Sequence, residues 1–226
     1  LLVSNRGRAG SRDTRKHPFI EILDGLKYVR AQPTVYALIL LSIVPFMFGM
    51  PLNTLLPAFN EDILLGGPDD LGVLLSAMGV GAILGSLMLA ASGDLKHKGT
   101  WLVITCFGWG VATVLFGMAP NLWTAVVVLA LVGWLSSWNM SLNRGLLQVQ
   151  VVQRMRGRIM SIDMMSHGLM PLGVLPVAMI ADAYDISTSL IASGAVFVVL
   201  IALMVLISTP VRKLDSMMLD VRHLNQ

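Results

Sequence analysis

The sequence predicts an all-α integral membrane protein with six transmembrane helices, and three observations support this fold class. First, 55% of the 226 residues are hydrophobic and only 13% are charged, with a mean hydropathy of +0.75. Soluble domains average about 25% charged residues. Second, the apolar residues fall into long runs, and third, the basic residues are confined to alternate segments between those runs. A bilayer is therefore the expected solvent.

Six largely apolar stretches are long enough to cross a bilayer. A helix needs about 20 apolar residues to span roughly 30 Å of hydrocarbon. The predicted spans are residues 34–56, 71–92, 100–119, 122–147, 158–183 and 187–209. A transmembrane β-barrel is not predicted, because its strands would be segments of about 10 residues with alternating polarity.

The distribution of charge predicts an orientation for these spans. All 16 Lys and Arg residues lie in residues 6–30, loop 2 (93–99), residues 144–158 or the C-terminal tail, and the other loops carry only acidic charge. Cytoplasmic loops collect Lys and Arg. Both termini are therefore predicted to be cytoplasmic. The basic residues behind the net charge of +3 lie along the cytoplasmic edge of the predicted spans, so this charge does not indicate nucleic-acid binding.

The six spans are flanked by segments of different character. Residues 1–17 are basic and polar, which predicts a cytoplasmic linker, and the absence of an initial Met suggests a piece of a longer protein. Residues 18–33 alternate apolar and charged residues at helical spacing, which predicts an amphipathic helix at the inner membrane surface. The bundle is predicted over 34–209, and residues 210–226 are predicted to form a cytoplasmic tail.

Two ionisable residues lie in the interior of the predicted fifth span, away from its ends. Asp163 and His167 are four residues apart and so share one helix face. Ionisable groups inside a bilayer are costly and mark ion or substrate pathways. Such a pair could carry a proton, because burial and neighbouring charge set the protonation state of each group. The alternative is a structural hydrogen bond from Asp163 to an adjacent helix, for example to Arg144.

The cytoplasmic half of the fourth span is polar on two adjoining stripes. Asn139 and Asn143 lie on one stripe and Arg144 on the other. Lipid does not tolerate such a surface, so these residues are predicted to face protein or a wet cavity, and we assign them to the same pathway. Alternatively, the Arg144 side chain extends to the membrane interface.

Proline and glycine mark three of the spans. Proline interrupts the first span at 45–51 (PFMFGMP) and the fifth at 171–176 (PLGVLP). Proline removes a backbone donor and kinks a helix, and interrupted helices often line transport pathways, although membrane helices also tolerate proline without such a role. In the second span, Gly81 and Gly85 form a Gly-x-x-x-Gly pattern that predicts close helix packing.

Several motifs resemble the C-terminal half of a major facilitator superfamily transporter of the drug- and siderophore-exporter-like branch. SGDLKHKGT (92–100) is similar to the superfamily's loop signature at Asp94, Lys96, Lys98 and Gly99, and departs from it at Ala90, Leu95 and His97. The run 142–182 is similar to that branch at Gln148, at Arg156-Gly157-Arg158 and at Pro171-Leu172-Gly173. The resemblance covers residues 21–209.

This resemblance implies two inverted three-helix repeats that form half of a twelve-helix carrier. The implied partner is an N-terminal six-helix half, and a six-helix homodimer is the alternative. The resemblance also implies a cytoplasmic gate built from Asp94, Lys96, Lys98, Arg156 and Arg158. For loop 2 the alternative is a turn that only sets topology.

The function favoured by these observations is secondary active transport in a bacterial inner membrane, with proton-coupled export of small organic molecules by alternating access. The predicted partners are membrane lipid, a small-molecule substrate and protons. The sequence has no Gly-rich phosphate loop and no His-Glu-x-x-His or Gly-x-Ser-x-Gly motif, so neither an enzyme nor an ATP-driven pump is predicted. No metal site or cofactor is predicted, and the alternative function is a non-transporting membrane scaffold.

Overall fold

The computed structural model describes residues 18–93, 95–212 and 215, without the side chains of residues 18–22, 166, 167 and 212. Its α-helices are α1 (Pro18–Ala31), α2 (Pro33–Phe48), α3 (Pro51–Ala58), α4 (Pro68–Ala91), α5 (Lys98–Gly117), α6 (Leu122–Gln150), α7 (Gln153–His167), α8 (Met170–Ala183), α9 (Ile186–Ile207) and α10 (Thr209–Arg212). A π-helical turn, Phe59–Ile63, follows α3 directly.

Among the described residues, six helical segments are long and apolar enough to cross a membrane, which confirms the predicted all-α fold class. These spans are Pro33–Ile63, Pro68–Ala91, Lys98–Gly117, Leu122–Gln150, Gln153–Ala183 and Ile186–Ile207. The amphipathic segment forms a separate helix, α1, which packs on α2 and α7.

Two spans differ from the prediction by more than three residues at one end. The first continues beyond residue 56 to Ile63, because the polar residues Asn60, Glu61 and Asp62 extend the helix as a π-helical turn. The fifth begins at Gln153 instead of Arg158. Gln, Arg and Met are good helix formers, so most of the segment 148–157, which lies between the fourth and fifth predicted spans, is helical.

The first and fifth spans are both interrupted, and they are in close contact near these interruptions. In the first span α2 ends at Phe48 and α3 begins at Pro51. In the fifth, the interruption lies between His167 and Met170 and not at 171–176, because Pro171 occupies the first turn of α8, where no backbone N–H is needed. Gly173 lies directly against the Met47 carbonyl, where a Cβ atom would overlap it.

Close glycine contacts hold α4 against α6. The Cα atoms of Gly81 and Gly85 lie against the backbones of Ala130 and Trp134, and Gly133 lies against the Met78 carbonyl. The predicted packing role of the Gly-x-x-x-Gly pattern therefore matches the structure. The first span is the most deeply buried of the six and contacts α5, α6, α7, α8 and α9, so it forms the centre of the bundle.

Asp185 fixes the beginning of α9. Its carboxylate accepts hydrogen bonds from the Thr188 backbone N–H at 2.7 Å and from the Thr188 hydroxyl at 2.6 Å. The hydroxyl and then the N–H lower the pKa of the Asp185 carboxyl by stabilising its charged form. A charged cap at this position ends the short loop between the last two spans.

Candidate functional site

A small cleft lies among α2, α5, α6 and α7. It is lined by Ser42, Pro45, Phe46, Trp109, Asn139, Met140, Asn143, Arg144 and Asp163. The cleft thus brings together Asn139, Asn143, Arg144 and Asp163, which were predicted to share a pathway. His167 is the last residue of α7, and its side chain lies outside the described part of the structure.

Asp163 is buried, with 4% of its surface exposed, and it is bonded to the first span. The Ser42 hydroxyl donates to Asp163 Oδ1 at 2.7 Å, and Ser42 is buried as well. A buried carboxylate without partners would be several kcal/mol less favourable than one in water. A hydrogen bond to an adjacent helix, which was the structural alternative, is therefore present with Ser42 of α2 as its donor.

The two asparagines join α6 to its neighbours. Asn143 Nδ2 donates to the Leu38 carbonyl of α2 at 3.1 Å, and Asn139 Nδ2 lies 2.8 Å from Cys106 Sγ of α5. Both side chains are buried. Arg144, one residue beyond Asn143, reaches the cleft although its side chain is largely exposed. The polar half of α6 therefore faces protein, as predicted, through the stripe that carries Asn139 and Asn143.

Trp109 is a lining residue that the sequence did not single out. It is buried, its ring packs edge-on against Phe197 at 5.9 Å, and its Nε1 has no hydrogen-bond partner within the described part of the chain. A Cβ atom on Gly49 would come within 2.9 Å of the Trp109 ring. The glycine at the interruption of the first span therefore makes room for this tryptophan.

Side chains from other helices bond to the backbone of α2 near this interruption. Pro45 has no N–H, so the Leu41 carbonyl loses its usual helical donor, and Cys106 Sγ lies 3.9 Å from that carbonyl. On the other side of Pro45, the Ser193 hydroxyl of α9 donates to the Phe48 carbonyl at 2.8 Å. The break in the first span is thus stabilised by neighbouring helices, as interrupted membrane helices require.

Two contact regions lie near the predicted gating residues, one at the beginning of α5 and one on α7. Asp94 lies outside the described residues, Lys96 is exposed, and Lys98 begins α5. In the first region, Asp215 of the tail accepts hydrogen bonds from Gly99 N–H at 2.8 Å and Thr100 N–H at 3.1 Å, and one from the Thr100 hydroxyl.

The second contact region joins α1 to α7. Arg158 of α7 forms an ion pair with Asp24 of α1 at 3.6 Å. A Cβ atom on Gly25 would come within 2.7 Å of the Ile162 side chain, so the two helices are in close contact at this point. Arg156 also lies on α7 and is exposed.

Comparisons with known proteins agree with this architecture. The family model described as transmembrane secretion effector, a major facilitator superfamily model, matches residues 3–226. Over 148 residues the chain is 33% identical to proteins named enterobactin exporter EntS from Shigella boydii serotype 18 and Escherichia coli O1:K1. That segment is 64% of this chain and only 34% of each relative's length. No solved structure matches the chain significantly.

Proposed function

This chain belongs to the transmembrane secretion effector family of the major facilitator superfamily, and from this premise we propose that it is half of a carrier that exports small organic molecules. Members of this family are transporters and not enzymes. The observation that carries the proposal is the buried Asp163 in a cleft between spans. A purely structural bundle would have little use for an ionisable group at this depth.

Asp163 and His167 are the proposed proton carriers, and Asn139, Asn143 and Arg144 are the proposed polar contacts of the substrate. In alternating access, the cleft opens to one side of the membrane and then to the other. Taking up a proton at Asp163 from outside would favour one of these states, and releasing it inside would favour the other. Export of substrate would then be driven by proton entry.

The proposed partner is a second six-helix unit, an N-terminal half, which would complete the cleft. The relatives are about three times as long as the segment they share with this chain, which supports such a partner. The second and fifth spans are the least buried, so they offer surface to that unit or to lipid. Loop 2 together with Arg156 and Arg158 would form the gate on the cytoplasmic side.

Transport by inverted membrane vesicles tests the proposed function. Because the relatives are named enterobactin exporters, enterobactin is the first substrate to measure, in vesicles that contain the complete protein. We expect the vesicles to take up the substrate when their interior is more acidic than the medium. Uptake should be lost when a protonophore collapses this pH gradient. Uptake no greater than in vesicles without the protein, for enterobactin and for a panel of small organic dyes, would favour the membrane scaffold.

The proposed orientation can be tested with two single-cysteine variants in a Cys106→Ala background. Lys96 and Asp69 are both exposed, and they lie at opposite ends of the second span. We expect Asp69→Cys to react with a membrane-impermeant maleimide in intact cells, and Lys96→Cys to react only after the cells are opened. Labelling in the reverse pattern contradicts the cytoplasmic assignment of both termini.

A further inference from the structure

We propose that Ser42 is a positioning residue that couples the ionisation of Asp163 to bending of the first span. The proposal rests on the proposed proton-carrying function of Asp163 and adds the element that responds to it. The contact that supports it is the 2.7 Å hydrogen bond between the Ser42 hydroxyl and Asp163 Oδ1, which joins the first and fifth spans inside the cleft.

Ser42 lies close to the proline and the interruption of the first span, so a change in its bond to Asp163 acts near the point where this span bends most easily. It lies one helical turn before Pro45, whose ring removes an N–H and leaves the helix easier to bend. The helix ends at Phe48, and Gly49 and Met50 separate it from α3. A force on Ser42 is therefore applied to the segment that ends at the interruption.

Two other contacts between α2 and its neighbouring helices use neutral groups. The Ser193 hydroxyl bonds to the Phe48 carbonyl, and the Asn143 amide bonds to the Leu38 carbonyl. Neither bond changes with pH. The Ser42 bond differs because its acceptor is a carboxylate, and a bond to an ionised acceptor is about twice as strong as a bond between neutral groups.

The charged groups near Asp163 are few. α2 carries no charged side chain, and its titratable Tyr36 is exposed six residues before Ser42. α6 contributes Arg144, which lines the same cleft. From α1, Asp24 pairs with Arg158 of α7, while Lys27 and Arg30 are exposed, and Tyr28 is half-buried. His167 follows Asp163 by one turn on α7.

The coupling step is a simple proton balance. A proton from the aqueous phase adds to the Asp163 carboxylate and forms a neutral carboxyl group. The Ser42 hydroxyl then faces a neutral acceptor, and the bond that holds α2 to α7 weakens. The first span is then free to change its angle at the interruption, and release of the proton restores the stronger bond.

The bend of the first span can be measured with two spin labels in the complete protein. Tyr36→Cys and Glu61→Cys place labels on exposed positions at the two ends of this span, in a Cys106→Ala background. A continuous helix would separate the two Cα atoms by roughly 38 Å, which suits pulsed electron paramagnetic resonance. We expect two distance populations whose ratio changes with pH.

The decisive comparison is the midpoint of that pH dependence. Loss of the hydroxyl in Ser42→Ala removes a bond to the ionised carboxylate, so the midpoint is expected to move to higher pH by about one unit. The isosteric pair Ser42→Thr and Ser42→Val separates chemistry from packing: threonine should keep the original midpoint and valine should show the shift. This pair also serves if alanine at this position disturbs folding.

Ser193→Ala is the matched control, because Ser193 is also a buried serine bonded to α2 but has no part in the Ser42–Asp163 bond. Its midpoint should stay unchanged. If Asp163→Asn abolishes the pH dependence and Ser42→Ala leaves the midpoint in place, this inference is wrong while the proposed proton-carrying role of Asp163 survives. If the populations do not depend on pH, or still depend on it in Asp163→Asn, both proposals are wrong.

Discussion

Export driven by a pH gradient is expected to fall to background in Asp163→Asn, which keeps the shape of the side chain but cannot ionise. One proton that moves through 100 mV supplies about 2.3 kcal/mol. At about 1.4 kcal/mol per factor of ten, this energy supports a roughly 50-fold concentration ratio. The steady-state accumulation of enterobactin in inverted vesicles should therefore drop by up to about 50-fold for each coupled proton.

The control for this prediction is Asp182→Asn, the same change at an exposed residue near the end of α8. A surface substitution of this kind usually changes stability by no more than about 0.5 kcal/mol, so export should stay close to that of the unaltered protein. Exchange of substrate across the vesicle membrane without a gradient should persist in Asp163→Asn, which would show an assembled cleft. Full gradient-driven accumulation in that variant would refute the coupling role.

A second large effect is expected at the contact between α4 and α6. A Cβ atom at Gly81 would fall on the backbone carbonyl of Ala130, whereas nothing lies within 4 Å of a Cβ atom at Gly79. A backbone carbonyl cannot rotate away as a side chain can. Gly81→Ala is therefore expected to destabilise the bundle by about 1–3 kcal/mol, and Gly79→Ala to be neutral or slightly stabilising.

Thermal unfolding in detergent, followed by circular dichroism and by retention in size-exclusion chromatography, measures this difference. In a chain of this length, about 1 kcal/mol corresponds to about 2–4 °C in Tm. Both variants add one methyl group to the same helix, at the exposed Gly79 and at the buried Gly81, so Gly79→Ala controls for the change of residue type. Equal Tm values for Gly79→Ala and Gly81→Ala would show that the two helices do not pack through Gly81.

The number of spans could be predicted because it depends on apolar length, which is a local property of the sequence. The ends of the spans were harder to predict. Asn60, Glu61 and Asp62 are too polar for a span by composition, yet they continue the first span as a π-helical turn. The segment between the fourth and fifth predicted spans is also too polar for a span by composition, yet residues 153–157 are helical because most of them are helix formers.

The cleft was predicted in part, for a similar reason. Asn139, Asn143, Arg144 and Asp163 stand out because polar residues are rare within apolar runs. Ser42 and Trp109 did not, since serine and tryptophan are common in membrane helices and their importance depends on which helix lies opposite. Partners 121 residues apart in the chain, such as Ser42 and Asp163, cannot be paired from a single sequence.

The attachment of α1 to α7 has a mechanical consequence. The Asp24–Arg158 ion pair and the contact between Gly25 and Ile162 lie within one or two turns of Asp163 on the same helix. We therefore expect α1 to move together with α7 when α7 tilts or rotates. If α1 rests on the inner membrane surface, as the sequence predicts, it links α7 to that surface, and we expect the lipid composition to affect the rate of the proposed transport cycle.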